Sequence, residues 1–153
     1  MARLLIVHHT PSPTMESMLD EVRTGADDDA IDGVDVMVRA ALGATAADVL
    51  AADAYLLGTP ANLGYISGAL KHFFDQIYYP CLDETVGRPF GTFLHGNSDV
   101  TGAERAIETI TTGLRWRLVA EPVRVIGEPS GADLQGCRDL GATVAARLSL
   151  DAS

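Results

Sequence analysis

The sequence is poor in basic residues and in cysteine. It has 11 lysine and arginine residues against 21 aspartate and glutamate residues, which gives a formal net charge of −10. Nucleic acids and anionic membrane surfaces bind proteins through clustered Lys and Arg, so neither is an expected partner. The two cysteines, Cys81 and Cys137, lie far apart and outside any Cys-x-x-Cys pattern. A disulfide framework or a zinc site therefore has little support.

Long hydrophobic runs are also missing. No apolar run reaches the roughly 18 residues that a membrane-spanning helix needs. The first residues, Met1 to Val7, are too short and too strand-like for a secretory signal. We therefore expect a cytoplasmic protein with no membrane partner. No metal site is expected, because the adjacent His8 and His9 point to opposite faces of a strand and no further ligands follow at suitable spacing.

Apolar strands and amphipathic helices alternate along the chain. Its 153 residues, 47% of them hydrophobic, suit one domain spanning residues 1–153. This alternation, with short connections, predicts an α/β fold with three layers and a doubly wound, five-stranded parallel sheet in the order 2-1-3-4-5. The pattern predicts strands at 3–8, 34–39, 54–58, 89–95 and 123–126, and helices at 14–23, 46–50, 67–78, 102–115 and 132–150.

The loop after the first strand is rich in hydroxyl groups. In a doubly wound sheet the ligand lies beyond the carboxyl ends of the strands, where the strand order reverses. Thr10, Ser12 and Thr14 stand at the start of the first helix, where free N–H groups and the helix dipole favour an anion such as a phosphate. The alternative is that these hydroxyls only cap the helix, with Pro11 and Pro13 fixing the turn.

Two further loops reach the same rim of the sheet. The loop from Thr59 to Ile66 contains Gly, Pro and Asn, and its backbone amides and carbonyls suit one edge of a flat ring. An ordinary strand-to-helix connection is the alternative. The loop from His95 to Gly102 adds polar side chains. His95 is a candidate for a direct chemical role, against the alternative of a structural histidine at a strand end.

The sequence lacks the common nucleotide-binding motifs and a recognisable nucleophile. Neither Gly-x-x-x-x-Gly-Lys-Ser/Thr nor Gly-x-Gly-x-x-Gly follows the first strand, so a monophosphate fits better than a triphosphate or a dinucleotide. No serine or cysteine has a setting typical of covalent hydrolysis. The chemistry is therefore expected from a cofactor.

One run of sequence resembles a known family. The run Gly58-Thr-Pro-Ala-Asn-Leu-Gly-Tyr-Ile-Ser-Gly-Ala-Leu-Lys-His-Phe-Phe-Asp75 is similar to the Gly-Ser/Thr-Pro-x-Tyr/Asn-x-Gly-x-x-Ser/Ala-Gly-x-Leu-Lys-x-Phe-x-Asp run of the flavodoxin-like superfamily, especially its flavodoxin-type NAD(P)H-dependent FMN and quinone reductases. The resemblance covers nearly the whole chain and implies a flavodoxin-like fold. It also implies FMN as cofactor, NADH or NADPH as electron donor, and a quinone, another flavin or a similar small molecule as acceptor.

The resemblance further implies which residues contact FMN. Pro13 stands where the family usually has glycine, and Met15 where it has its last threonine. We therefore expect a different set of amides at the phosphate, with Thr14 supplying the missing hydroxyl. The implied contacts fall into three groups: Thr10, Ser12, Thr14 and Met15 at the phosphate; Pro60, Ala61, Asn62, Leu63, Gly64 and Tyr65 at the ring; and His95, Gly96 and Asn97 on its other side.

Two other functions stay open. A flavodoxin-like electron carrier that passes electrons to a redox protein suits the small size and acidic surface. A carrier, however, is expected to have aromatic side chains in both ring loops, and the loop from His95 to Gly102 has none. A flavin-free regulatory module is the second alternative, since a fold does not secure a function. Family members often pair subunits at the flavin edge, so the resemblance also implies a homodimer.

Overall fold

The computed structural model describes residues 1–152, which form an alternation of strands and helices. Helices begin at the side-chain caps Ser12, Thr45 and Ser67, whereas the helix that begins at Thr101 has no side-chain cap. The elements are β1 (Ala2–His8), α1 (Pro13–Ala26), β2 (Val34–Ala40), α2 (Ala46–Ala51), β3 (Ala54–Asn62), β4 (Tyr65–Ile66), α3 (Gly68–Cys81), β5 (Pro89–Gly96), α4 (Thr101–Leu114), β6 (Arg117–Leu118), β7 (Val123–Ile126) and α5 (Gly131–Ala152).

The sheet has the order β2-β1-β3-β5-β6, and β7 also pairs with β5. All of these pairs are parallel. Because β5 is the fourth predicted strand, and β6 and β7 share the fifth position, the predicted order 2-1-3-4-5 is confirmed. The order reverses between β1 and β3, which is where a doubly wound sheet opens its ligand crevice.

The fifth position of the sheet is divided into two short strands. β6 pairs with Pro89 and Phe90 of β5, and β7 pairs with the segment from Phe93 to Gly96. Gly91 and Thr92 lie between these ladders and pair only with β3. The sequence pattern predicted β7 but not β6, because a strand of two exposed residues leaves no hydrophobic signature.

The third strand is longer than predicted. The sequence placed the end of this strand at Gly58 and a loop from Thr59, but β3 continues to Asn62. Thr59 and Pro60 still pair with β5, and Ala61 and Asn62 then pair antiparallel with β4. The predicted loop is therefore a strand extension that folds back as a hairpin.

Two hydrophobic cores lie on opposite faces of the sheet. Alternate residues of β1 serve each core, as the period of two in a strand requires. Leu4 and Ile6 pack with residues of α1 and α5, whereas Leu5 and Val7 pack with residues of α2, α3 and α4. This arrangement gives the three layers that the pattern predicted.

Helices α1 and α5 pack backbone against backbone. A Cβ atom added to Gly25 would lie 1.9 Å from the Arg138 carbonyl oxygen, and one added to Gly141 would lie 2.0 Å from the Val22 carbonyl oxygen. Gly141 therefore permits a close helix contact that offsets its low helix propensity. This explains why α5 runs without interruption from Gly131 to Ala152.

Neither cysteine forms a disulfide within the described residues. Cys81 and Cys137 are both free and buried. Burial raises the pKa of the Cys137 thiol to about 12, so this side chain behaves as a packing group.

Among residues 1–152, no helix combines the length and the apolar composition that crossing a bilayer requires.

Candidate functional site

The loop between β1 and α1 uses its hydroxyl groups in local hydrogen bonds. The Ser12 side-chain oxygen accepts a hydrogen bond from the Met15 N–H at 3.2 Å, so Ser12 is the N-cap of α1. The Glu16 N–H donates to the Ser12 carbonyl at 3.0 Å. The Thr14 side chain and N–H make no hydrogen bond to any described residue. Ser12 therefore has the capping role that the sequence left open, while its own O–H stays available as a donor.

Met15 and Thr10 are held in different ways. Met15 is fully buried in the core between the sheet, α1 and α5, and its N–H is used by Ser12. The Thr10 hydroxyl hydrogen-bonds Nδ1 of His8 at 3.1 Å. Burial, followed by repulsion from His9 and Arg23, lowers the pKa of His8 from its ordinary value. The ring that positions Thr10 thus favours the neutral form.

The hairpin formed by β3 and β4 turns at Leu63 and Gly64. Both residues have positive φ, 50° and 76°, as both central residues of a type I′ hairpin turn do. Leucine rarely adopts this region. The Leu63 side chain nevertheless projects into solvent with a relative exposure of 106%, and Tyr65 is 44% exposed. The tip therefore presents apolar surface on a constrained backbone.

A buried hydroxyl anchors this hairpin to the protein. The Thr59 side chain is fully buried, donates to the Pro60 carbonyl at 2.8 Å and accepts from the Ser67 N–H at 3.1 Å. Ser67 in turn caps α3 by accepting from the Leu70 N–H. The sequence pattern assigns no role to the side chains of Thr59 and Ser67, because a contact across eight residues has no periodic signature.

The loop after β5 is fixed at both ends. Nε2 of His95 lies 2.8 Å from the Gly127 carbonyl oxygen, which only accepts, so Nε2 carries a proton. Asp99 accepts from both the N–H and the hydroxyl of Thr101, and these two bonds lower the pKa of the Asp99 carboxyl. Gly96 is buried, whereas Asn97 is exposed at the rim. His95 therefore has the structural partner that the alternative interpretation required.

The three loops come together at one edge of the sheet. The His9 N–H donates to the Gly58 carbonyl at 2.9 Å, which joins the first loop to the second. Pro60 pairs with His95, which joins the second to the third. A Cβ atom added to Gly102 would lie 1.7 Å from the Gly64 carbonyl oxygen, so the hairpin rests against the first turn of α4. The three predicted loops thus meet at the crevice between β1, β3 and β5, whereas the Met15 side chain does not reach it, because it is buried in the core.

Solved structures with this architecture match almost the whole chain. A flavodoxin from the domain Archaea superposes with a TM-score of 0.81 and 18% identity, covering 95% of this chain and 98% of its own. The flavodoxin, WrbA-like protein from Agrobacterium tumefaciens superposes with a TM-score of 0.80 and 22% identity over 100% of both chains. The chain has the flavodoxin-like fold. At these identities the likeness concerns the fold alone.

The sequence of the chain is also similar to that of a flavodoxin. A flavodoxin of Aquifex aeolicus (strain VF5) is 28% identical over an alignment that covers 95% of this chain and 86% of the relative. No family model matches the chain. The three-loop crevice of this flavodoxin-like chain therefore lies in a fold that flavodoxins share.

Proposed function

We propose that this protein binds FMN at the three loops and transfers electrons from NADH or NADPH to a quinone, another flavin or a similar acceptor. The main support is the register that brings His8 beside Gly58 and Pro60 beside His95 at the point where the strand order reverses. The similarity to flavodoxins over almost the whole chain supports the cofactor.

The donors that remain at the start of α1 fit a phosphate. Pro13 has no N–H, and the Met15 and Glu16 N–H groups are already used by Ser12. The Thr14 N–H and hydroxyl are unused within the described residues, and with the hydroxyl hydrogen of Ser12 they form a cluster of donors at the positive end of the helix dipole. The Thr10 hydroxyl joins this cluster in the tautomer in which Nδ1 of His8 carries the proton and donates to it. We propose that these residues hold the FMN phosphate, with Thr14 contributing most.

The hairpin fits the ring of FMN. Ala61 and Asn62 lie on a backbone that is held at Thr59 and at Gly102, so their polar groups are fixed in advance of binding. The apolar side chains of Leu63 and Tyr65 are exposed beside them. Bound at these residues, FMN would supply the redox chemistry, which is hydride acceptance from a nicotinamide and electron transfer to the acceptor. The residues of the chain bind and orient the ring and tune its electrostatic surroundings.

His95 acts in this proposal as a positioning residue. Its proton on Nε2 is used by Gly127, whose N–H donates to the Gly96 carbonyl. These two bonds clamp the end of β5 to the segment after β7. The histidine therefore fixes the backbone of Gly96 and Asn97 on the far side of the ring.

The absorbance spectrum of the purified protein tests FMN binding. We expect a yellow protein that releases FMN on denaturation, and flavin-free protein that takes up added FMN. Replacing Thr14→Val removes a hydrogen bond to a charged group and should weaken FMN by about 1.5 to 3 kcal/mol. Thr24→Val, at the other end of α1, is the matched control and should leave affinity unchanged. A colourless protein that ignores FMN would contradict the proposal and favour the regulatory module.

Steady-state kinetics tests the electron donor and acceptor. The FMN-loaded protein should oxidise NADH or NADPH in the presence of a quinone or free flavin. An electron carrier is the second candidate, favoured by the net charge of −10 and the flavodoxin relative. FMN-loaded protein that fails to oxidise either nicotinamide, yet exchanges electrons with a redox protein, would identify the carrier. Light scattering tests the proposed homodimer.

A further inference from the structure

A cavity of about 400 Å³ lies between α4 and the gap that separates β6 from β7. Its volume is within the range of roughly 300 to 1,000 Å³ that is usual for small-molecule sites. None of the residues that line it belongs to the three loops of the proposed flavin site. This cavity is therefore separate from the proposed flavin site and lies on the side of the sheet that α4 covers.

The floor of the cavity offers an unused polar group on an apolar surface. Thr92 is only 3% exposed, lines the cavity and makes no side-chain hydrogen bond to any described residue. It stands where β5 lacks a partner between β6 and β7. The aromatic rings of Phe90 and Trp116, with centroids 6.2 Å apart, lie beside it. Every fully enclosed side-chain oxygen or nitrogen of the described residues has a hydrogen-bond partner, so the Thr92 hydroxyl is open to the cavity, where a ligand can bond it in place of water.

The rim of the cavity is negatively charged. Glu104, Glu108 and Glu121 line it together with the single cation Arg124. Arg124 donates to Glu104 at 3.2 Å and to Glu121 at 3.1 Å, so these charges are paired. The Glu108 carboxylate makes no ion pair within the described residues. Three carboxylates against one guanidinium leave an excess negative charge above an aromatic floor.

We propose that this cavity binds a small organic cation, a primary amine carried on an aromatic or aliphatic body. The ammonium group would pair with Glu108 and donate to Thr92, while the apolar body would lie against Phe90 and Trp116. A cation next to the face of an aromatic ring gains further attraction. An anion would be repelled by the carboxylates, and a neutral apolar molecule would displace water from Thr92 without replacing its hydrogen bond.

Fluorescence gives a direct test, because Trp116 is the only tryptophan of the chain and stands in the cavity wall. The probes are 2-phenylethylamine, its neutral analogue 2-phenylethanol and the anion phenylacetate. We expect the amine to change the Trp116 emission in a saturable way in both flavin-free and FMN-loaded protein. The alcohol should bind about tenfold more weakly, as expected if the charge contributes about 1.4 kcal/mol, and phenylacetate should not bind.

Three variants locate the effect. Glu108→Gln should weaken the amine about threefold, as an exposed ion pair does. Thr92→Val, which keeps the shape, should weaken it about fivefold. Asp20→Asn removes the same charge from α1 on the opposite layer and should leave binding unchanged. Thermal unfolding checks that each variant is folded. If Thr92→Val does not fold, Glu108→Gln still tests the proposal, because Glu108 is exposed.

The charge of the ligand and the place where it binds decide the outcome of this test. Equal binding of 2-phenylethanol and the amine would overturn it, because the cavity would then be an apolar pocket without selectivity for cations. An amine affinity that falls as much in Asp20→Asn as in Glu108→Gln would also overturn it, because the attraction would then be general. An emission that no probe changes would overturn it outright.

Discussion

The hairpin from Thr59 to Ile66 and the loop from His9 to Ser12 face the same crevice but are held differently. The hairpin is fixed from behind, by the buried Thr59 hydroxyl and by the contact between Gly64 and Gly102. The loop is fixed by groups that also face the crevice, since Ser12 caps α1 and Thr10 bonds His8. In the proposed FMN site the hairpin would use separate atoms for support and for recognition, whereas in the loop the same hydroxyls would serve both.

This difference predicts how substitutions should act. Substitutions at Thr59 or Gly102, which support the hairpin, should lower protein stability. The loss of ligand affinity should follow from that loss of stability. Changes in the loop should lower affinity directly, with a smaller effect on stability, because a hydroxyl oxygen that accepts from a backbone N–H still has its own proton to donate.

The largest effect is expected from the double variant Thr10→Ala and Ser12→Ala. FMN affinity should fall by roughly 1.5 to 3 kcal/mol for each charged hydrogen bond removed. The free energy of unfolding should fall by only about 1 kcal/mol, through the lost helix cap. Titration of flavin-free protein with FMN and urea unfolding measure the two quantities. Unchanged FMN affinity would mean that the two hydroxyls serve the helix alone.

The second largest effect is expected for Gly102→Ala. The added methyl group would overlap the Gly64 carbonyl, which should cost about 2 kcal/mol of unfolding free energy and displace the hairpin. Gly136→Ala in α5 is the matched control, because a Cβ atom there meets nothing within 4 Å. That control should stabilise the protein by about 0.5 to 1 kcal/mol. Equal stability of the two variants would mean that the contact between Gly64 and Gly102 does not support the hairpin.

A smaller effect is expected for Thr59→Val, which keeps the side-chain shape. The buried Ser67 N–H loses its acceptor, so the free energy of unfolding should fall by about 1 to 2 kcal/mol. Thr109→Val on the exposed surface of α4 is the control and should change stability by less than about 0.5 kcal/mol. If urea unfolding shows no difference between these variants, Thr59 does not anchor the hairpin.

The smallest effect concerns His8 and pH. Its folded pKa lies below the ordinary value of 6.5, so between the two pKa values the unfolded chain binds more protons than the folded one. The free energy of unfolding should therefore fall as the pH drops below 6.5. Replacing His8→Gln should flatten this dependence, whereas the exposed His72→Gln should keep it. An identical pH profile for wild type and His8→Gln would exclude His8 as its source.

The strand order was predictable from the sequence because buried parallel strands read as short apolar runs, as Leu4 to Val7 and Tyr55 to Leu57 do. The hairpin tip was not, since its turn places Leu63 at a positive φ where Asn or Gly is usual. The bond between His95 and Gly127 joins residues 32 positions apart. Such pairings depend on the finished packing, which explains why the site loops were predicted but the contacts that hold them were not.

The divided fifth position also affects how the protein behaves in concentrated solution. An exposed strand edge offers unpaired N–H and C=O groups on which another chain can assemble. Here that edge consists of two residues in β6 and four in β7, separated by a segment that contains Pro122. Neither piece is long enough to template a neighbouring strand, so the interruption protects this edge of the sheet, while the seven residues of β2 form the other edge.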